Sequence, residues 1–471
     1  MGRFIVIDRT ADEEFLARLL DDGKNTIDVL IIDNNNQREN INKLTDIKSV
    51  YTVEDIDTIE HVGDIDFDII KKCKEAQLHV ENGLTRFEND YNTKKYKYYM
   101  TLSFWYKLFQ SKQYYAVIIK QTNHGLLYDG ILPEIAKIYN VPCYFIEPLA
   151  CKCSYIRNIN DNRIIYIKNK RKISNIMEYL KRDGSDVLNF DFDCGLEGDG
   201  LKKRIIRFLY SIGGYLLCRW GALLKNGFKP IQTASSGFYH SYSDELESYF
   251  KHGKTGHYLK VLECKYIPEK KEKYIFFPLQ FEPEASMQVR INIESQLFMV
   301  KILSEVLPKG WKIYVKDHPH QYKLNNNLFW YQIYHSDLFK TKKFYDILAS
   351  IDNVRIIEAA TSGNLLMKNS IAVVSPVGST LLEAIANGKT AVLFSDIHPL
   401  INCEGVLRIN SLTTARAVME KLASGYTGNY DNVLEVLNKS ILLTEEDKNA
   451  NVEQILIDIK NFHVRNLDNI K

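Results

Sequence analysis

A tight glycine turn followed by two hydroxyl side chains lies in VVSPVGSTLLEAIANGKTAVLF, residues 373–394. An apolar strand pattern leads into Gly378, and a helix pattern begins at Ser379 and Thr380, with Glu383 one turn inside. The free amides of a helix start bind anions, and glycine lets a ligand approach the backbone closely. The loop therefore predicts a phosphate site. A well-capped helix that binds nothing is the alternative.

A lysine and a histidine follow a second apolar run, in WKIYVKDHPHQ, residues 311–321. Pro319 ends the strand pattern and restricts the backbone beside His318. Lys316 offers a positive charge and His318 a directional hydrogen-bond donor, and both suit the phosphate of a nucleotide. A structural or solvated histidine is the alternative, and the anion loop in the same region favours the phosphate interpretation.

Two carboxylates flank a proline after a third strand pattern, in FFPLQFEPE, residues 276–284. Either Glu282 or Glu284 could serve as a general base, provided that burial or a neighbouring charge tunes its pKa. Gln280 carries an amide able to orient a sugar hydroxyl. A solvated acidic loop is the alternative for this segment.

Polar residues also follow two strand patterns nearer the N-terminus. Asn123 and His124 follow the run 115–119, and Glu147 follows the run 143–146. Strand-end loops of this kind could line an acceptor site. His124 is also compatible with a core histidine.

Two acidic segments have the appearance of metal-binding motifs, DFD at 191–193 and DIDFD at 64–68. Neither follows a strand pattern that would hold a metal against a nucleotide. We therefore predict neither a metal nor a cofactor.

The elements that must position these loops alternate between short apolar strands and amphipathic helices, which is typical of a parallel α/β sheet. The alternation is clear at both ends of the chain and is lost between about 150 and 255. We predict two Rossmann-like domains facing across a cleft, joined by a helical linker region. The predicted divisions are 1–150 on the acceptor side, a helical or irregular insertion over 151–269, a nucleotide-sugar domain over 270–442, and a helix over 443–471 that packs back on the first domain.

The overall composition excludes several classes of protein. The 471 residues suffice for two to four domains, and 45% hydrophobic with 25% charged residues is ordinary globular usage. Lys and Arg total 61 against 59 Asp and Glu, which gives a net charge of +2. A protein that tracks nucleic acid shows a far stronger basic field, so nucleic acid is not the expected partner.

One apolar stretch bears on membrane association. Residues 205–224 are mostly apolar, with a basic flank at 202–204 and internal arginines at 207 and 219. Each arginine costs roughly 2.5–3.5 kcal/mol at a bilayer centre on insertion scales, which disfavours a spanning helix. An interfacial helix over 202–224 and a buried interdomain helix pair both remain open. The acidic N-terminal sequence does not resemble a signal peptide. We expect a cytoplasmic protein, and a location at the inner face of the membrane is the alternative.

Together the three later loops resemble the capsule polysaccharide biosynthesis protein family, GT-B glycosyltransferases that include the capsular Kdo transferases. The resemblance covers about 270–400. Its residues are FFPLQ with a following acidic residue (276–284), a KxHP loop (Lys316, His318, Pro319), and a glycine–serine loop with LEA and GK (Gly378, Ser379, Leu382, Glu383, Ala384, Gly388, Lys389). The HP loop and the hydroxyl pair are also similar to those of bacterial sialyltransferases, which use CMP-sugars.

The resemblance implies roles for individual residues. His318 would contact the donor phosphate together with Ser379 and Thr380, and Glu383 would lie by the ribose. The acidic residue four positions after the glutamine maps to Glu284. Pro283, directly before Glu284, departs from the family pattern. Glu282 therefore remains a second candidate for the general base.

The function implied is a metal-independent transfer of sugar from a nucleotide-sugar, such as CMP-linked Kdo or sialic acid, to a glycan or glycolipid acceptor of a surface polysaccharide. Other polysaccharide-assembly proteins are candidate partners. Three alternatives stay open: a CDP-polyol phosphotransferase of the teichoic-acid type, a nucleotide-sugar epimerase, and a non-catalytic assembly subunit.

Overall fold

The computed structural model describes the greater part of both α/β regions. The described residues are 2–21, 23–59, 63, 65–86, 88, 90–120, 125–150, 153–165, 167, 174–182, 185–186, 231–232, 239–240, 255, 258–267, 272–282, 287, 293–318, 321, 336–358, 361–395, 398–442 and 448–468.

The first region alternates strands and helices from the first residues onward. Its strands are β1 (Gly2–Ile7), β2 (Asn25–Ile32), β3 (Val50–Thr52), β4 (Ala116–Ile119), β5 (Cys143–Ala150), β6 (Cys153–Asn158) and β7 (Arg163–Ile165). Its helices are α1 (Glu13–Leu20), α2 (Arg38–Ile41), α3 (Val53–Asp57), α4 (Phe67–Lys72), α5 (Lys74–Leu84), α6 (Tyr91–Ser111) and α7 (Leu132–Ile138), with a 3-10 turn at Asn35–Gln37.

The first sheet has the order β3-β2-β1-β4-β5, and these strands are parallel. Because helices cover both faces, the strands are buried on both sides and read as continuous apolar runs. Ile5 and Ile7 pack with α5, α6 and α7, whereas Phe4 and Val6 pack with α1. This alternation follows from the two-residue period of a strand.

Three antiparallel strands extend this sheet beyond β5. The chain reverses after β5, so that β6 pairs with β5, and β7 and a late strand β18 (Ile441–Leu442) both pair with β6. The first sheet therefore continues past residue 150, where the sequence analysis ended the first domain. In β6 the apolar Tyr155 and Ile156 are interleaved with serine, arginine and asparagine, so the strand lacks the uniform apolar run that identified its neighbours.

The described part of the linker region also contains several short elements. They are α8 (Ile176–Leu180), β8 (Lys181–Arg182), β9 (Ser185–Asp186), β10 (Ile231–Gln232) and β11 (Tyr239–His240). The apolar stretch 202–224 lies outside the described residues. None of the helices in the described part of the chain has both the length and the apolar character needed to cross a bilayer.

The second region repeats the alternation. Its strands are β12 (Tyr274–Pro278), β13 (Lys312–Lys316), β14 (Val354–Ile357), β15 (Ala372–Ser375), β16 (Thr390–Leu393) and β17 (Leu407–Arg408). Its helices are α9 (Gln296–Val306), α10 (Ser336–Phe339), α11 (Lys342–Ala349), α12 (Gly363–Asn369), α13 (Thr380–Ala386), α14 (Leu412–Ala423) and α15 (Val433–Asn438), with a 3-10 turn at Pro399–Asn402.

The second sheet is parallel throughout, in the order β14-β13-β12-β15-β16-β17. The order reverses direction between β12 and β15, which makes this the topological switch point of the sheet. Both sheets thus have the Rossmann-like arrangement, and the predicted α/β class with two Rossmann-like domains is confirmed.

The chain ends in the long helix α16 (Lys448–Asp468), which packs against α1 of the first region. Val452, Ile455 and Ile459 are buried beside β1 and β4. Asp458 accepts a hydrogen bond from the Tyr144 hydroxyl (3.0 Å) and forms an ion pair with Arg163 (2.9 Å). Val452, Ile455 and Ile459 therefore lie on the face of α16 that packs against the first region.

Candidate functional site

Three polar loops meet at the carboxyl edge of the second sheet, because β13, β12 and β15 are adjacent. Pro278, at the end of β12, is paired with Lys316 at the end of β13. On its other side β12 pairs with β15, which ends at Ser375. Ligands of open α/β sheets bind outside the carboxyl ends of the strands at a switch point. The three motifs singled out in the sequence therefore share one edge of one sheet.

A direct hydrogen bond joins two of these loops. The Gln280 side-chain amide donates to the Ser375 hydroxyl (3.2 Å), which itself donates to the Val377 carbonyl (2.7 Å). Gly378 has a φ of +89°, and a Cβ atom there would lie 3.3 Å from Gln280 Oε1. The left-handed backbone favours glycine here, and a Cβ atom would also be tight against the Gln280 side chain.

The start of α13 does not form a capping box. Ser379 has helical backbone angles, and its side chain makes no capping hydrogen bond to the backbone. Its hydroxyl donates instead to the Glu383 carboxylate (2.8 Å). Burial raises the pKa of Glu383, and the Ser379 hydrogen bond opposes that rise. The start of α13 therefore has no side-chain cap from Ser379, and Thr380 is a half-buried residue of the first turn.

The loop after β13 is organised by Asp317, a residue that the sequence analysis did not single out. Its carboxylate accepts the backbone N–H of His318 (2.6 Å), the ammonium of Lys340 (2.6 Å) and the Tyr345 hydroxyl (2.5 Å). Lys316 is the last residue of β13 and is largely buried. His318 lies with its ring 6.0 Å from that of Phe281, centroid to centroid. Asp317 thus fixes the peptide that carries His318.

Glu282 is a buried carboxyl beside this loop, with 8% of its surface exposed. Its backbone is held by Gln321, whose side chain accepts the Glu282 N–H (3.0 Å) and donates to the Glu282 carbonyl (2.7 Å). Burial raises the pKa of Glu282, and the charge of Lys340 and a hydrogen bond from Gln296 oppose the rise. A buried carboxyl whose pKa is raised is a candidate for proton transfer.

Gln296 supports the segment from the other side. Its side chain accepts the backbone N–H of Gln280 (2.7 Å) and donates to the Gln280 carbonyl (3.3 Å). Four residues of this site were not singled out from the sequence: Gln296, Gln321, Lys340 and Tyr345. Gln296, Lys340 and Tyr345 lie on elements remote in sequence from the residues that they contact, and Gln321 contacts Glu282 across 39 residues. Only Asp317, directly after a strand, carried a positional signal.

Three of the predicted site residues, Glu284, Asn123 and His124, lie outside the described residues. Glu147 is placed differently from expectation, because β5 continues to Ala150 and makes Glu147 an internal strand residue. It is buried, forms an ion pair with Arg157 (3.1 Å) and accepts a hydrogen bond from the Tyr155 hydroxyl. Glu147 therefore serves the core of the first domain.

The first sheet also has a switch point, between β1 and β4. Arg9 follows β1 and bonds Asp33 (2.7 Å), while Lys120 follows β4 and pairs with Asp12 (2.7 Å). These residues were not singled out in the sequence. Within the described part of the chain, no cluster of three or more potential metal ligands occurs.

Fold and site together define an α/β protein with two Rossmann-like domains and a polar site at the switch point of the second. No protein-family model and no curated protein matches the chain. Solved structures similar to it include UDP-GlcNAc 2-epimerase from Methanocaldococcus jannaschii, with 10% identity over 97% of this chain and 100% of that one (TM-score 0.25). The Thermosulfurimonas dismutans protein KpsC, a beta Kdo 2,7 transferase, has 16% identity over 48% of this chain and 67% of that one (TM-score 0.23).

A third similar structure is the α,α-trehalose 6-phosphate synthase from Burkholderia multivorans. Its identity is 11% over 100% of this chain and 99% of that one, with a TM-score of 0.30. At these levels of similarity, what this chain does must be argued from its own residues.

Proposed function

We propose that the protein is a metal-independent glycosyltransferase that uses a nucleotide-sugar donor. The observation that supports this most strongly is the meeting of the Gln280, Lys316–His318 and Gly378–Thr380 loops at the switch point of the second sheet. A helix start, a lysine and a histidine at one sheet edge suit a donor diphosphate or monophosphate.

In this proposal the departing nucleotide phosphate is stabilised by Lys316, His318 and the amides at the start of α13. Fixed donors aimed at a developing charge lower the barrier without reorganising during the reaction. The Gln280 amide orients a sugar hydroxyl from the base of the site, and Glu383 lies one turn further along α13, toward the ribose.

The acceptor hydroxyl must lose a proton as the new glycosidic bond forms, and the proton passes to Glu282 or Glu284. The burial of Glu282 and its raised pKa favour it as a proton acceptor. The carboxylate would return this proton to solvent after the nucleotide leaves.

The finer proposals concern the substrates and the setting. The donor is CMP-linked, with a Kdo-like or sialic-acid-like sugar, and the acceptor is a glycan or glycolipid of a surface polysaccharide. Asn123 and His124 contribute to the acceptor side. Peripheral contact with the inner face of the membrane involves 202–224, beside other polysaccharide-assembly proteins.

Product analysis tests this proposal. The purified protein is incubated with CMP-Kdo, CMP-sialic acid, UDP-GlcNAc and CDP-glycerol, each with and without a glycolipid acceptor. A new glycosidic product that disappears in His318→Ala is the expected result. A new phosphodiester would indicate the polyol phosphotransferase, interconversion of the donor sugar without acceptor would indicate an epimerase, and no reaction and no nucleotide binding would indicate an assembly subunit.

A further inference from the structure

Lys340 occupies a position between two of the strand-end loops. It lies between α10 and α11, and its ammonium donates to the carbonyl oxygen of Gln280 (2.6 Å) and to the carboxylate of Asp317 (2.6 Å). Gln280 belongs to the loop after β12, and Asp317 to the loop after β13. One side chain thus ties together the backbone of one loop and the carboxylate that holds the other.

The Lys340 and Asp317 side chains are both almost completely buried, at 0% and 2% exposure. A buried ion pair of this kind adds little net stability compared with apolar residues of similar size, but loss of one partner leaves an uncompensated buried charge. The contribution of this ion pair is therefore the geometry that it imposes on the two loops. That geometry includes the His318 N–H, which bonds the same Asp317 oxygen as Lys340 does.

We propose that Lys340 is a positioning residue that sets the spacing between Gln280 and His318, and so holds the donor site in its binding geometry. This inference rests on the proposed function. Lys340 acts through Asp317 and the Gln280 carbonyl, and it holds the two loops at the distance that a donor phosphate and its sugar require.

The test separates geometry from stability. Lys340→Met and Asp317→Asn are combined, because removing both charges avoids leaving one buried alone, and the new amide oxygen can still accept the His318 N–H. Lys343→Met is the matched control, since Lys343 is an exposed lysine three residues away. Urea unfolding, amide hydrogen exchange of the peptides covering 277–282 and 314–318, and affinities for CMP, CDP, UDP and GDP are measured for each protein.

We expect the double variant to unfold near the wild-type urea concentration, while both peptides exchange at least about tenfold faster and the affinity for the bound nucleotide falls at least about tenfold. Lys343→Met should match the wild type in all three. Wild-type exchange in both peptides, or faster exchange with unchanged nucleotide affinity, would overturn the positioning role. If the wild type binds none of the four nucleotides and the double variant still exchanges faster, the contact of Lys340 with both loops is supported and the proposed function is refuted.

Tyr345→Phe provides a second variant in case the double variant does not fold. It removes one hydroxyl from the same Asp317 carboxylate. Exchange in 314–318 should accelerate more than exchange in 277–282, because the lost hydroxyl donates to the Asp317 side of the pair. Equal acceleration in both peptides would contradict the assignment of the bridging role to Lys340.

Discussion

At the scale of single residues, Glu282 carries the acid–base part of the proposal. Its pKa is raised by burial, so it becomes deprotonated at a higher pH than an exposed glutamate. A base must be deprotonated to accept the acceptor proton, and the activity should therefore rise with pH through this raised pKa. Glu282→Gln should lower turnover at least about a hundredfold and remove that acidic limb.

The matched control for Glu282 is Glu420→Gln, at an exposed site on α14. Steady-state rates across pH 4–8, with thermal unfolding to verify folding, provide the measurement. Full turnover in Glu282→Gln would transfer the role of base to Glu284 or to another group.

Gly378 supplies a second residue-scale prediction. Gly378→Ala should destabilise the fold by about 1 kcal/mol because of its positive φ, and it should weaken nucleotide binding by crowding Gln280. Gly425→Ala is a close control, since Gly425 has a φ of +88° with nothing within 4 Å of the added atom. Unfolding and titration calorimetry should show a similar loss of stability in both variants and a loss of affinity only in Gly378→Ala. Equal affinities would argue against a ligand at this loop.

At the scale of elements, α16 tests how the end of the chain supports the first sheet. Ile455 is 1% exposed and packs in the core with β1 and β4, whereas Ile457 on the same helix is 51% exposed. Ile455→Ala should destabilise the protein by about 2–4 kcal/mol through the cavity that it leaves. Ile457→Ala should stay within about 0.5 kcal/mol of the wild type. Similar values from urea unfolding would mean that α16 is not docked in solution.

The elements also show what could be predicted from the sequence. The strand before Gly378 and the helix that begins at Ser379 and Thr380 could be predicted, because buried parallel strands and amphipathic helices have strong patterns. The strands β6, β7 and β18 were missed, since β6 and β7 are mixed in polarity and β18 has only two residues.

The site divides in the same way. Lys316 and His318 could be located because they directly follow a strand, and such residues must lie at the sheet edge. Lys340 and Gln321 could not, because their roles depend on tertiary contacts over tens of residues. Sequence spacing contains no record of such contacts.

At the scale of the whole molecule, the two domains are joined by more than the linker. Leu149 and Tyr155 of the first domain lie in one apolar cluster with Tyr274 and Phe276 of the second. A hydrogen bond from Asn82 to Glu294 (3.0 Å) forms a further contact between them. Although the net charge is only +2, the positive groups proposed for donor binding lie together at one edge of the second sheet.

The central claim is that a nucleotide binds where β13, β12 and β15 end. Thermal unfolding with CMP, CDP, UDP and GDP tests it most directly, since a ligand at 100 times its Kd stabilises the folded state by about 2.7 kcal/mol. At least one nucleotide should raise the melting temperature of the wild type and of Gly425→Ala, and the rise should be lost in His318→Ala. No rise with any of the four, or an undiminished rise in His318→Ala, would contradict it.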